Sequence, residues 1–72
     1  MAASNYDVNV QLALATTAEH EGDYATALAF LAEADRAARE DREARAQVHW
    51  FTALFGARQR TRAALDLFAS AF

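Results

Sequence analysis

The sequence predicts an all-α protein in which four short antiparallel helices form two stacked helical hairpins. Alanine is the commonest residue, proline is absent and there are only two glycines, which favours helices because alanine loses no side-chain entropy in one. Apolar residues also recur at helical spacing along most of the chain. A length of 72 residues suffices for one domain. We therefore expect residues 1–72 to form a single unit, with hairpins at about 6–38 and 42–72.

Helix one is predicted over residues 6–21. Ser4 and Asp7 have the spacing of a capping box at its start, and Gly22 suits its C-terminus. A helical wheel gives it a main apolar face and a weaker one opposite. The main face contains Val10, Leu14, Thr17 and Ala18, and the weaker face contains Val8, Leu12, Thr16 and Glu19.

Helix two is predicted over residues 24–38, with Asp23 as its N-cap. Phe30 points away from its apolar stripe. The stripe consists of Tyr24, Ala27, Leu28, Leu31, Ala34 and Ala38.

The end of helix two is the least marked boundary. Residues 35–47 contain no large apolar side chain, and they also contain neither glycine nor proline. We predict a tight turn near residues 39–42. The alternative is one continuous helix over residues 24–56.

Helices three and four are predicted over residues 42–57 and 59–72, with Gly56 near the end of helix three. Leu67 lies off the apolar face of helix four. Helix three presents Val48, Trp50, Phe51, Leu54 and Phe55, and helix four presents Ala64, Leu65, Phe68, Ala71 and Phe72.

Composition excludes several classes of site and partner. The chain has no cysteine and two histidines, so we expect no disulfide, no structural zinc and no cofactor. A net charge of −3 disfavours nucleic-acid binding. No apolar run approaches the roughly 20 residues that span a bilayer, and the N-terminus lacks the basic flank of a signal peptide. We therefore predict a cytoplasmic protein that binds neither membrane nor nucleic acid.

Two histidine-containing segments invite a chemical interpretation. Glu19, His20 and Glu21 point about 100° apart on a helix, so they cannot converge on one metal ion. His49 beside Trp50 has no nucleophile or second titrating group in sequence reach, as acid–base catalysis would require. We interpret these residues as structural or solvated, and we predict no enzyme.

Arg58, Arg60 and Arg62 form a short basic cluster near the end of the chain. It could contact phosphate or an acidic partner. Pairing with the acidic first helix, within one chain or between two, is an equally good interpretation.

An internal repeat is the most informative pattern. The small–large–small series Ala27, Leu31, Ala34 recurs 37 residues later as Ala64, Phe68, Ala71. A period of 34 or slightly more, with two helices per unit, is typical of helical-hairpin repeats. The segment Leu14-Ala15, Gly22-Asp23-Tyr24, Ala27, Leu31 and Ala34 resembles one repeat of the tetratricopeptide family. The second unit matches loosely, with about three extra residues between Gly56 and Ala64.

The tetratricopeptide resemblance implies a groove lined by the first helix of each hairpin. Such a groove would bind a peptide or a partner helix, with Leu12 and His49 as anchors. Its positions here are Asn9, Leu12, Thr16 and Glu19, followed by Ala46, His49 and Ala53.

We therefore predict a small protein–protein interaction module. One alternative is a small, phage-encoded inhibitor that blocks a larger protein through an exposed face around Phe30 or Leu67. Another is a structural subunit of a homodimer or larger homo-oligomer. In that case a second copy would cover the off-stripe residues Leu12, Phe30 and Leu67.

Overall fold

The computed structural model describes the backbone of residues 2–71 and the side chains of residues 7–71, and this part of the chain is all-helical. Helix α1 spans Ala2–His20, α2 spans Tyr24–Ala38 and α3 spans Arg42–Ser70. The all-α prediction is confirmed. The prediction of four helices is wrong, because the segments assigned to helices three and four belong to one helix of 29 residues. The start of α1 also differs, since Ser4 lies inside the helix and not at its N-cap.

The turn between α1 and α2 follows its sequence signals. Gly22 has φ +80°, and its N–H donates to the carbonyl of Glu19 at 3.0 Å. The N–H of Asp23 donates to the carbonyl of Ala18 at 2.9 Å. This pair of bonds is a Schellman motif, whose left-handed residue is glycine because a Cβ would be strained there. The Asp23 carboxylate then caps α2 by accepting from the N–H of Thr26 at 3.2 Å.

A second tight turn separates α2 from α3. Arg39 has φ 52° and ψ −118°, the values of the first central residue of a type II′ β-turn. The N–H of Asp41 closes this turn on the carbonyl of Ala38 at 3.0 Å. The Asp41 carboxylate caps α3 by accepting from the N–H of Ala44 at 3.2 Å. The turn predicted here is confirmed, and the alternative of one helix running through it is wrong.

Gly56 lies inside α3 and does not end a helix. One glycine costs about 1 kcal/mol relative to alanine in a helix interior. A break would instead leave several N–H and C=O groups without intrahelical partners. The next four residues, 57–60, include no proline and no residue suited to cap a new helix. Continuation of the helix therefore has the lower free energy.

The core lies between α1 and α2 and under the first half of α3, and it is built largely from small side chains. Ala27 and Ala34 are completely buried, as predicted for the stripe of α2, whereas Leu28 of that stripe is 52% exposed. Small residues at the contact let helix axes approach closely. The buried apolar residues are Val8, Leu12, Ala15 and Ala18 of α1, Ala27, Leu31, Ala34 and Ala38 of α2, and Ala44, Val48 and Phe55 of α3.

Helix α1 buries the face that the sequence ranked second. Val8 and Leu12 are buried, whereas Leu14 is 41% exposed. Ala15 lies on the buried face, and Ala18, which the wheel placed on the main face, is buried at its edge; both join the buried alanines of α2 in one cluster. Close packing of small side chains therefore decides between two faces of similar hydrophobicity. The prediction that Leu14 belongs to the core face is wrong.

Past Gln59, α3 continues as a C-terminal arm, defined here as residues 60–70. Every side chain of the arm is exposed. A helix of 29 residues is about 43 Å long, and the longest dimension of the described chain is 53 Å against 20 and 12 Å for the others. The second predicted hairpin is therefore not formed. The face predicted to be buried in helix four is exposed at Ala64, Leu65, Phe68 and Ala71, and Phe72 lies outside the described residues.

Candidate functional site

A polar clasp, formed by Glu19, Arg58 and Gln59, joins the end of α1 to the middle of α3. Arg58 donates from Nε and a terminal nitrogen to the two Glu19 carboxylate oxygens, at 2.8 and 2.7 Å. Gln59 Nε2 donates to one of the same oxygens at 3.0 Å. Glu19 is only 8% exposed, so the bidentate pair and the third bond compensate the burial of its charge.

The clasp shifts the pKa of both charged partners. Hydrogen bonding from Arg58 lowers the pKa of Glu19 below its ordinary value of 4.5, and this outweighs burial, which raises it. The same bond raises the pKa of Arg58 above its usual range. Both groups are therefore charged at neutral pH, and a carboxylate held this way is poorly suited to proton transfer near pH 7. The clasp acts as a tie between helices.

A groove of about 330 Å³ surrounds the clasp between α1 and α3. At its rim, Arg62 donates to the hydroxyl of Tyr24 at 2.5 Å and lies 5.6 Å from the centre of that ring. Tyr24 in turn packs edge-on against Phe55, with ring centres 6.3 Å apart. These contacts position Arg62 at the root of the arm. The groove is lined by Thr16, Glu19, His20, Phe51, Arg58 and Arg62.

A separate groove of about 330 Å³ lies between α2 and α3. The Nε2 atom of His49 lies 3.7 Å from a carboxylate oxygen of Asp35 there, and both side chains are at least half exposed. Leu28 adds an exposed apolar wall. An exposed pair of this kind contributes little to stability, so the groove has polar edges but no fixed geometry for chemistry.

A second apolar stripe runs along α3, roughly a third of a turn from the face that packs on the hairpin, at about 100° per residue. Trp50, Leu65 and Phe68 of this stripe are 62%, 62% and 64% exposed. Part of the stripe forms a shallow groove of about 370 Å³, with Arg58 and Arg62 at its edge. We call this surface the outer stripe and define it as Trp50, Leu54, Ala57, Thr61, Ala64, Leu65 and Phe68.

The outer stripe is long for an exposed apolar surface. Its ends, Trp50 and Phe68, are separated by about 27 Å along the helix axis at 1.5 Å per residue. Scattered apolar side chains are normal on protein surfaces, whereas contiguous apolar patches mark interfaces. The outer stripe is therefore the strongest candidate for a functional surface among the described residues.

The structure brings together only part of the predicted groove. Thr16 and Glu19 line the α1–α3 groove, whereas His49 lies in the α2–α3 groove. Leu12 is 3% exposed and belongs to the core, so the expected open groove with Leu12 and His49 as its anchors is not formed. Asn9 is exposed on α1. Leu12 is inaccessible because α1 packs through its other face.

Phe30 and Leu67, the two residues predicted for an exposed face, lie in different environments. Phe30 is half-buried and packs against the core. Leu67 is the most exposed large apolar residue described, on the arm next to the outer stripe. Glu19, His20 and Glu21 do not converge, since Glu19 points to Arg58 while the other two side chains are exposed.

The basic cluster was predicted either to contact phosphate or an acidic partner, or to pair with the acidic first helix, and the Arg58–Glu19 bonds confirm the second interpretation within one chain. The outer stripe was not predicted. The sequence contains a signal for the stripe, because its residues from Trp50 to Phe68 follow one another at intervals of 4, 3, 4, 3 and 4 and include Ala57 and Ala64. This regular spacing is apparent only when residues 42–70 are treated as one helix and not as two helices separated at Gly56.

The chain matches no protein-family model, no curated protein and no solved structure. Within the residues that the structure describes, no helix has both the length and the apolar character needed to cross a membrane.

Proposed function

We propose that the chain is a small protein–protein interaction module that docks an amphipathic helix of a protein partner on the outer stripe, and that it catalyses no reaction. The observation that carries this proposal is the exposure of a contiguous apolar stripe on a helix that the hairpin only half covers. Trp50 and Leu65 are each 62% exposed, which is costly in water unless another surface covers them.

The shape of the surface favours a helix as the occupant. The stripe is straight and follows the 3–4 spacing that helices use to pack on one another. A partner helix would present apolar residues at positions i, i+3, i+4 and i+7 to it. Arg58 and Arg62 at its edge supply the polar rim typical of interfaces.

The resemblance to the tetratricopeptide family supports the proposal only for the α1–α2 hairpin, because the second predicted hairpin is not formed. Its groove-lining residues Asn9, Thr16 and His49 stay predictions of a second, weaker contact surface. The α1–α3 groove that contains Thr16 lies next to the outer stripe, and the two share Arg58 and Arg62. A partner docked on the stripe would therefore also reach this groove.

The test is capture from an extract of the source organism with matched variants of the chain. Ala64→Glu places a charge on the outer stripe, and Ala63→Glu places the same charge one residue away on the other side of the arm. Both positions are exposed, so neither change should disturb folding.

We expect to capture a protein that binds saturably to the wild type and to Ala63→Glu. In titrations of the purified components, this protein should bind Ala64→Glu at least tenfold more weakly. Equal binding to all three chains, or none to any of them, would overturn the proposal.

A further inference from the structure

We infer that the helix docked on the outer stripe is α3 of a second copy of the chain, paired antiparallel in a symmetric dimer. This inference rests on the proposed function, because it names the partner of the same surface. It is carried by the residue sizes along the stripe and by the exposed apolar area.

The stripe has the pattern of a short two-helix seam. Over residues 54–71 the inward positions alternate at spacings of 3 and 4, as in a coiled coil. One set of positions holds larger side chains and the other holds only alanine. The first set is Leu54, Thr61 and Phe68, and the second is Ala57, Ala64 and Ala71.

An antiparallel pair matches large residues with small ones. Leu54 of one copy would face Ala71 of the second, and Phe68 would face Ala57. Thr61 would face Ala64 near the two-fold axis. Every layer then pairs one larger side chain with an alanine, so the layer volumes vary less than in a parallel pair and the helices can keep a more constant separation.

A parallel pair in register would not do this. It would place Phe68 against Phe68 and Ala64 against Ala64, which gives wide and narrow layers in turn and leaves voids at the alanines. It would also bring both hairpins to the same end of the seam. The antiparallel pair puts the hairpins at opposite ends, and its contacts are the same from either copy, as a symmetric dimer requires.

The available area suits a weak dimer. Phe68 and Leu65 are 64% and 62% exposed, and a fully buried aromatic residue covers about 150–250 Å². With the smaller residues between them and the edge of Trp50, which lies about one turn beyond the seam, each copy offers roughly 400 Å². The total of about 800 Å² is below that of a standard interface, so we expect a weak dimer with a dissociation constant on the order of 100 µM.

Charges on the arm predict a salt effect. Residues 60–70 contain Arg60, Arg62 and one acid, Asp66, so each arm has a net charge of +1. The antiparallel register brings Arg62 of the two copies to nearly the same level, about 1.5 Å apart along the axis. The repulsion between arms is screened by salt, so dimerisation should strengthen as salt rises.

The first measurement is the molar mass of the purified chain by sedimentation equilibrium, from about 1 µM to about 500 µM. We expect the mass to rise towards that of the dimer across this range, and to do so at lower concentration in higher salt. Ala64→Glu should weaken dimerisation at least tenfold, and Ala63→Glu should change it by no more than about twofold. Far-UV circular dichroism checks that both variants are folded.

The second measurement fixes the orientation by disulfide trapping, which is clean because the chain has no cysteine of its own. Chains with Leu54→Cys and Ala71→Cys are oxidised separately and as a mixture, with oxidised glutathione. The antiparallel dimer gives a disulfide in the mixture and none in either chain alone, since equal positions lie about 25 Å apart along the axis. Disulfides in each chain alone would indicate a parallel dimer and overturn the inference.

A wild-type chain that stays monomeric up to 500 µM would also overturn the inference. If that monomer still retained a different protein, and lost it only in Ala64→Glu, the proposed function would stand with a foreign partner. Binding of such a partner that weakens as salt rises would indicate an acidic helix attracted by the arm. If the chain neither self-associates nor captures another protein, both proposals are wrong.

Discussion

Replacing Glu19 with glutamine tests whether the clasp holds α3 on the hairpin. The change removes the charge and one of the two oxygens that accept from Arg58, one of which also accepts from Gln59, while the side chain keeps its size. The remaining amide oxygen can still accept one bond from Arg58. The variant therefore isolates the ionic part of the contact.

The magnitude follows from how exposed the two partners are. Hydrogen bonds to charged groups contribute about 1.5–3 kcal/mol, whereas exposed ion pairs contribute about 0–1 kcal/mol. The Glu19 side chain is 10% exposed and that of Arg58 is 48% exposed, so the clasp falls between these classes. Arg58 can also turn to water when its partner is lost. We expect Glu19→Gln to lower the free energy of unfolding by about 1–2 kcal/mol.

Urea unfolding, followed by far-UV circular dichroism at low micromolar concentration, measures this loss. Glu21→Gln is the matched control, because it removes the same charge from an exposed position two residues away and should cost less than about 0.5 kcal/mol. In a double-mutant cycle, Glu19→Gln and Arg58→Gln should couple by about 1 kcal/mol. Equal losses for Glu19→Gln and the control would refute the clasp.

The same pair predicts a pH dependence with a definite sign. Since hydrogen bonding from Arg58 lowers the pKa of Glu19 in the folded chain, the unfolded chain binds more protons between the two pKa values. The stability from the clasp is therefore present above the ordinary pKa of 4.5, and it is lost as the pH falls through the lowered pKa of the folded state. The difference between wild type and Glu19→Gln should close at acid pH, and a difference that persists there would contradict this account.

Four further predictions concern the backbone and the arm, and they can be measured by urea unfolding. Gly56→Ala should raise the free energy of unfolding by about 0.5–1 kcal/mol, because the new Cβ meets only the flexible end of Arg60, at 3.4 Å. Gly22→Ala should lower it by about 1 kcal/mol because of the positive φ, and equal effects at the two glycines would contradict both. Arg39→Gly should raise it by about 0.5–1 kcal/mol by relieving a left-handed conformation, and a loss would refute the turn type. A chain ending at Arg62 should lose helical signal but keep its stability within about 1 kcal/mol, because the residues it lacks are exposed; a larger loss would show that they pack.

The parts of the fold that the sequence predicted are those set by short-range hydrogen bonds. Gly22 ends α1 and Asp23 caps α2 through partners within five residues, so the local sequence contains all the necessary information. The stripe of α2 was predicted for a similar reason, since Ala27, Leu31 and Ala34 share one face at helical spacing.

The errors arose where two arrangements have similar free energies. The two faces of α1 differ little in hydrophobicity, and the packing of Val8, Leu12 and Ala15 in the core decides between them. At Gly56 the sequence suggested a helix end. Residues 57–60 offer no N-cap for a new helix, so continuation of α3 has the lower free energy. That one difference moved Leu65 from a predicted core to an exposed arm.

The candidate site was the least predictable part. The sequence indicated that the basic cluster could pair with the acidic first helix, but Glu19 and Arg58 are 39 residues apart and no local pattern identifies them as the partners. Thr16 and Glu19 were correctly placed near each other because they share one helix. Their facing residues on α3 depended on how that helix crosses α1, which no local pattern specifies.

The uncovered half of α3 also has a consequence for how its surface is made. An isolated helix of 11 residues is marginal in water, because starting the first turn is unfavourable while extending an existing one is not. The helical state of residues 60–70 must therefore propagate from the packed turns before it, where Arg58 and Gln59 bond to α1 and Arg62 bonds to α2. A partner would complete a fraying helix as it binds, so a substitution that stiffens the helix upstream should increase affinity without touching the interface.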